Sequence, residues 1–141
     1  MKKIRVLLVD DEVGVTRLVK LNLERRGQYE VRTETNGLQA LAAAHEFKPD
    51  VILLDVVMPN TDGGEIAAQI QAALELKHVP ILFLTAIVSK QDHANGPLIR
   101  GGMRFLAKPI TLAALVQAIE ETLPGHPALT SPPPSTQSPA P

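Results

Sequence analysis

An α/β fold with a parallel sheet covered on both faces is the architecture this sequence predicts, and three observations lead there. Short apolar runs of strand length recur at residues 4–9, 51–54, 81–84 and 103–107, as expected of strands buried on both faces. Segments with helical spacing alternate with these runs, and right-handed crossovers then lay helices on both sides of one sheet. Four of the runs also stop abruptly at polar residues, which puts polar chemistry at a single edge of that sheet.

The central run, Val51-Ile52-Leu53-Leu54, ends at Asp55 and a proline-bearing loop, Val56-Val57-Met58-Pro59. Taken from the start, Ile4 to Val9 is apolar apart from Arg5 and leads into Asp10-Asp11-Glu12. Residues 12–26 follow as a helix with Val15, Leu18, Val19 and Leu23 on its apolar side, acids at its start and Arg25-Arg26-Gly27 at its end. Residues 29–33 alternate Tyr29, Val31 and Thr33 with charged Glu30 and Arg32, the pattern of an edge strand. Asn36 is placed to cap a helix carrying Leu38, Leu41, Ala42 and Phe47, which Pro49 closes. Asp62 caps a helix whose Ile66, Ile70 and Leu74 recur every four residues.

Pro80 introduces the run Ile81-Leu82-Phe83-Leu84, which ends at Thr85. Between Ala86 and Arg100, Ser89 predicts one short helix and Asn95-Gly96-Pro97 breaks it into a loop. Gly101-Gly102 precedes a strand from Met103 to Ala107, which ends in Lys108-Pro109, and Thr111 caps a last helix bearing Leu112, Leu115, Val116, Ile119 and Leu123. Residues 124–141 hold seven prolines and no Asp, Glu, Lys or Arg, so a single globular unit over residues 1–123 with a disordered tail over 124–141 is expected.

Composition narrows the classes. With 141 residues and 45% hydrophobic content there is material for one core. A formal net charge of -1 with interspersed acids and bases offers no footprint for nucleic acid or a membrane surface, so direct DNA binding is not expected. Cysteine is absent, and any metal must be held by oxygen or imidazole. His45, His78, His93 and His126 show no ligand spacing and receive no role. The N-terminal apolar run is far shorter than the roughly 20 residues of a membrane span, which makes a cytoplasmic protein the expectation.

In a parallel sheet, all the strand ends that carry Asp10, Asp11, Asp55, Thr85 and Lys108 share one rim. Crowded carboxylates repel, and a hard cation such as Mg2+ relieves that repulsion with oxygen ligands. Acids with a metal, a lysine and a hydroxyl suit the oxygens of a phosphoryl group in transfer, with Asp55 as the nucleophile.

The motifs Val-Asp10-Asp11-Glu12, Leu-Leu-Asp55-Val-Val-Met-Pro59, Thr85-Ala86 and Leu-Ala-Lys108-Pro109 fall in order, and over roughly residues 2–123 the chain resembles a response-regulator receiver domain of two-component signalling. The resemblance implies a (βα)5 flavodoxin-like fold with strand order 2-1-3-4-5. It implies phosphoryl transfer to Asp55 from a sensor histidine kinase or phosphotransfer protein, with signalling to a downstream protein target. It further implies Mg2+ ligated by Asp11, Asp55 and the backbone carbonyl of Val57, with Asp10 acting through a metal-bound water. Thr85 and Lys108 would hold phosphoryl oxygens, the Lys108-Pro109 bond would be cis, and Thr85 with Phe105 would form the switch. Such a chain is a phosphoryl acceptor and not a turnover enzyme.

Three departures bear on this expectation. Phe105 stands where the family often has Tyr, and Asn95-Gly96-Pro97 falls where its fourth helix runs. Val57 and Ile87, two places beyond Asp55 and Thr85, are aliphatic where polar side chains could orient water, which predicts a long-lived phosphoryl-aspartate. A degenerate receiver acting as a phosphorylation-independent scaffold or dimerisation module is the alternative. A metal-dependent phosphatase is disfavoured, because Val57 replaces the second acid such enzymes carry.

Overall fold

The computed structural model describes residues 2–59, 61–85, 98–100 and 103–123. The chain begins with strand β1 (Ile4–Val9), helix α1 (Val13–Arg25) and strand β2 (Tyr29–Glu34). A 3-10 turn (Gly37–Gln39) leads into α2 (Ala40–Phe47), followed by β3 (Val51–Asp55), β4 (Val57–Met58), β5 (Thr61–Asp62) and α3 (Gly63–Ala72). The remaining elements are β6 (Ile81–Thr85), β7 (Leu98–Arg100), β8 (Met103–Ala107) and α4 (Leu112–Thr122).

The main sheet has the order β2-β1-β3-β6-β8-β7. Its first five members run parallel, so by order along the chain they stand 2-1-3-4-5, the flavodoxin-like arrangement. Alternation along the strands divides the apolar side chains between two cores. Leu7, Val9, Ile52, Leu54 and Phe83 pack against α2 and α3, while Val6, Leu8, Leu53, Leu82, Leu84 and Leu106 pack against α1 and α4. Each central strand is therefore covered on both sides. No helix among the described residues is long and apolar enough to cross a membrane.

Local signals act where expected at two helix starts. The Asp62 side chain accepts from the Gly64 amide at 2.8 Å, and the Thr111 hydroxyl from the Ala114 amide at 3.1 Å. Asn36 also caps, but it starts the 3-10 turn, so α2 begins only at Ala40 and Leu38 faces solvent.

Several expectations are corrected. Leu18 is 59% exposed, because the buried line of α1 runs through Thr16, Val19 and Leu23, roughly a third of a turn away. Leu74 is 81% exposed: α3 ends at Ala72, Ala73 turns extended, and Leu76 and Val79 take the buried places instead. The expected loop up to Arg100 ends in a strand, β7, that pairs antiparallel with β8, with Arg100 opposite Met103. Gly101-Gly102 lies between those partners, and a two-glycine link between apolar runs is a hairpin signal. A second small ribbon, β4 with β5, frames the loop after Asp55. The expected helix at Ser89, the break at Asn95-Gly96-Pro97, Ile87, His93, His126 and the tail over 124–141 lie outside the described residues.

Candidate functional site at the carboxyl rim of the sheet

Asp10 follows β1 directly and is fully buried. Its amide donates to the Glu34 carbonyl at 3.1 Å, while its Oδ1 accepts from the Glu12 amide at 3.0 Å. Asp55 is the last residue of β3 and is buried, with the next amide, Val56, donating to the Leu84 carbonyl at 2.9 Å. Thr85 closes β6, also buried, and the Lys108 amide donates to its carbonyl at 2.8 Å just beyond β8. The sheet register sets Asp55 beside Leu84 and Thr85 beside Ala107, so these strand ends are level with one another. The predicted residues therefore share one rim.

Asp10, Asp11 and Asp55 each offer a carboxylate oxygen, and these oxygens lie within 4.8 Å of one another. At an effective dielectric of about 20, two unit charges at this separation repel by on the order of 3 kcal/mol, so three together need a cation. Lys108 supplies one. Its Nζ lies 2.7 Å from Asp10 Oδ2, 3.0 Å from Glu12 Oε1 and 3.6 Å from Asp55 Oδ2. The contact with Asp10 is short but poorly aligned, and no other hydrogen-bond donor reaches that buried oxygen among the described residues. Burial of Lys108 by itself would lower its pKa. The contacts to Asp10 and Glu12 and the charge of Asp55 outweigh that burial and raise it above the ordinary 10.5.

One ammonium does not balance three clustered acids, which leaves the triad attractive to a hard cation. Opposite oxygens around Mg2+ are about 4.2 Å apart, so a spread up to 4.8 Å fits direct ligands together with one reached through water. Val57, whose carbonyl was expected to contribute, lies in β4 two residues beyond Asp55, opposite Asp62. The Lys108-Pro109 peptide is cis. Phe105 is half-buried and stacks on Phe83, with ring centres 5.0 Å apart and planes at 20°.

Two contributors escaped the sequence expectations. Glu12 was read within the acidic run Asp10-Asp11-Glu12 and given no role at the site, yet its carboxylate holds Lys108, 96 residues away. Gly63 opens α3 pressed against the end of β3: a Cβ there would stand 2.7 Å from the Asp55 carbonyl oxygen and 2.9 Å from Val56 Cα. Its amide donates to the Val56 carbonyl at 3.2 Å, tying the helix to the end of β3. The glycine pair after Asp62 is the signal that could have found it.

Comparison with known proteins agrees with this architecture. The family model described as response regulator receiver domain matches residues 6–120. The transcriptional regulatory protein TrcR of Mycobacterium tuberculosis is 38% identical over 120 residues, covering 85% of this chain but 45% of that protein. The polar-differentiation response regulator DivK of Brucella anthropi is 32% identical over 119 residues, covering 84% of this chain and 94% of DivK. The chemotaxis protein CheY4 of Vibrio cholerae superposes with a TM-score of 0.73 at 32% identity, over 86% of this chain and 99% of that one. The chain thus spans less than half of some curated relatives and nearly all of others. On the family match, the shared fold and these relatives, the chain belongs to the response regulator receiver domain family of two-component signalling.

Proposed function

We propose that this chain is a Mg2+-dependent phosphoryl acceptor that takes the group on Asp55 from a sensor histidine kinase or a phosphotransfer protein and passes the signal on by protein contact. Receiver domains as a class bind Mg2+ at an acidic pocket and are phosphorylated by such donors. The observation that carries the reading is the setting of Asp55, a buried strand-end carboxylate with two acids within 4.8 Å and the Lys108 ammonium 3.6 Å away.

In this reading an Asp55 oxygen attacks the phosphorus, a P–O bond forms, and the P–N bond to the donor imidazole breaks with its electron pair returning to the ring. Asp10, Asp11 and Asp55, with the Val57 carbonyl, would hold the metal, which when bound supplies positive charge to the phosphoryl oxygens. Lys108 offers a second positive charge and Thr85 a hydroxyl donor. The aliphatic Val57 side chain, two residues past the acceptor, gives an attacking water no hydrogen-bonding group, and supports a slowly hydrolysed product. The chemistry is one phosphoryl group per chain and not turnover. A cytoplasmic setting, where such donors act, goes with it.

A partner surface adjoins the site. Val13, Leu18 and Leu21 are exposed on α1, beginning one residue after Glu12, an apolar face on which a donor protein could seat itself beside Asp55. Incubation with acetyl phosphate, with and without Mg2+, followed by intact-mass spectrometry tests the proposal. One added phosphoryl group that needs Mg2+ and disappears in Asp55→Asn is the expected result. No labelling and no phosphate release would favour the scaffold alternative, and rapid release of many phosphates per chain, with no labelled protein accumulating, a phosphatase; either outcome ends the acceptor reading.

A further inference from the structure

Glu12 is an unusual residue to find where it stands. It occupies the position before the first turn of α1, where a short polar side chain ordinarily accepts from the helix amides, yet it makes no such capping bond. Its backbone is fixed at both ends, the amide donating to Asp10 Oδ1 at 3.0 Å and the carbonyl accepting from the Thr16 amide at 3.0 Å. From that fixed base the side chain reaches away from its own helix and binds Lys108 Nζ at 3.0 Å, while remaining 58% exposed.

Lys108 has three carboxylate neighbours among the described residues, and they are not equivalent. Asp10 and Asp55 belong to the acidic triad. Glu12 does not. An ammonium paired with Asp10 and Asp55 competes for the same oxygens as a divalent cation would. With Glu12 present, the ammonium has a carboxylate partner that can be kept while the triad is given up.

We propose that Glu12 is a positioning residue for Lys108: its carboxylate anchors the ammonium on the α1 side of the cleft, so that Asp10 and Asp55 can be released to a divalent cation without leaving Lys108 unpaired. The proposal rests on the Mg2+-dependent acceptor reading and goes beyond it by assigning a role to a residue outside the metal triad. It separates contact from charge. Any exposed acid near the cleft attracts a cation weakly through a screened field, whereas anchoring acts only through Lys108 and only at bonding distance.

The test is a double-mutant cycle on Mg2+ binding to the full chain, measured by titration calorimetry with the metal alone. Glu12→Gln is expected to weaken Mg2+ binding about fivefold when Lys108 is present and by less than about twofold in a Lys108→Met background. An equal loss in both backgrounds, or no loss in the first, overturns the proposal. Glu12→Asp provides an independent arm if Lys108→Met fails to fold, because it keeps the charge and shortens the reach by one methylene. Anchoring predicts that Glu12→Asp weakens binding nearly as much as Gln does. A pure field effect predicts no change, and that result would equally overturn it. Should the unaltered protein bind no Mg2+, the acceptor reading itself falls and the role of Glu12 with it.

Discussion

At the scale of single residues, the site is an imbalance of charge held in place by backbone. Asp10 is fully buried, Lys108 keeps only 14% of its side-chain surface, and their 2.7 Å contact joins the first and last parallel strands of the chain. Lys108→Met therefore leaves a buried carboxylate without its cation, and a loss of about 3 kcal/mol in urea unfolding at neutral pH is expected. The pH dependence has a definite sign. Because the folded pKa of Lys108 is raised above 10.5, its contribution is fully present below that value and is lost as pH rises through the folded pKa. The stability gap between the unaltered protein and Lys108→Met should thus stay level from neutral pH up to 10.5 and close above it. Tyr29, whose pKa is raised chiefly by burial, also loses stability at alkaline pH, but it does so in both proteins and cancels in the difference. These strand-end residues were legible in the sequence because a buried apolar run that stops at a charge is conspicuous. Glu12 was not, since nothing local announces a partner 96 residues away.

At the scale of elements, each helix contributes something different to the rim. The start of α3 is fixed by Gly63, and Gly63→Ala would force a methyl group to within 2.7 Å of the Asp55 carbonyl. Backbone does not yield there as a side-chain tip does, so a loss of about 2 kcal/mol with slower labelling of Asp55 is expected, measured by thermal unfolding and by acetyl phosphate kinetics. Helix α1 turns Val13, Leu18 and Leu21 outward, and Leu18 makes no core. Leu18→Asp should change stability by less than about 0.5 kcal/mol and leave labelling by acetyl phosphate intact. It should sharply slow transfer from a phosphorylated protein donor; equal rates from that donor would remove α1 from the partner surface. Leu18 and Leu74 also show where pattern reading loses resolution. Spacing of three or four residues marks a helix, but it leaves the direction of the buried stripe loose by a residue, and it cannot see α3 stopping at Ala72. The β7–β8 hairpin was hidden by the neighbouring Asn95-Gly96-Pro97, whose turn signals outweighed the shorter one at Gly101-Gly102.

At the scale of the whole molecule, alternation of strand and helix implied a parallel sheet, its order 2-1-3-4-5 was implied by the family resemblance, and the sheet gathers residues from Asp10 to Lys108 at one rim. That much was readable because each step is local: a buried run, a turn, an amphipathic helix, repeated. A cation that binds the folded triad and not the unfolded chain must stabilise the fold. At ten times its dissociation constant, Mg2+ should add about 1.4 kcal/mol, seen as a higher melting temperature that Asp11→Ala abolishes. The central claim is that this convergence makes Asp55, and not its acidic neighbours, the phosphoryl acceptor. The most direct measurement is the site of the phosphoryl group itself, fixed by borohydride reduction after acetyl phosphate and Mg2+ treatment and located by peptide mapping. The expected result is modification at Asp55 alone, whereas modification at Asp10 or Asp11, or none on the folded protein, would contradict the account.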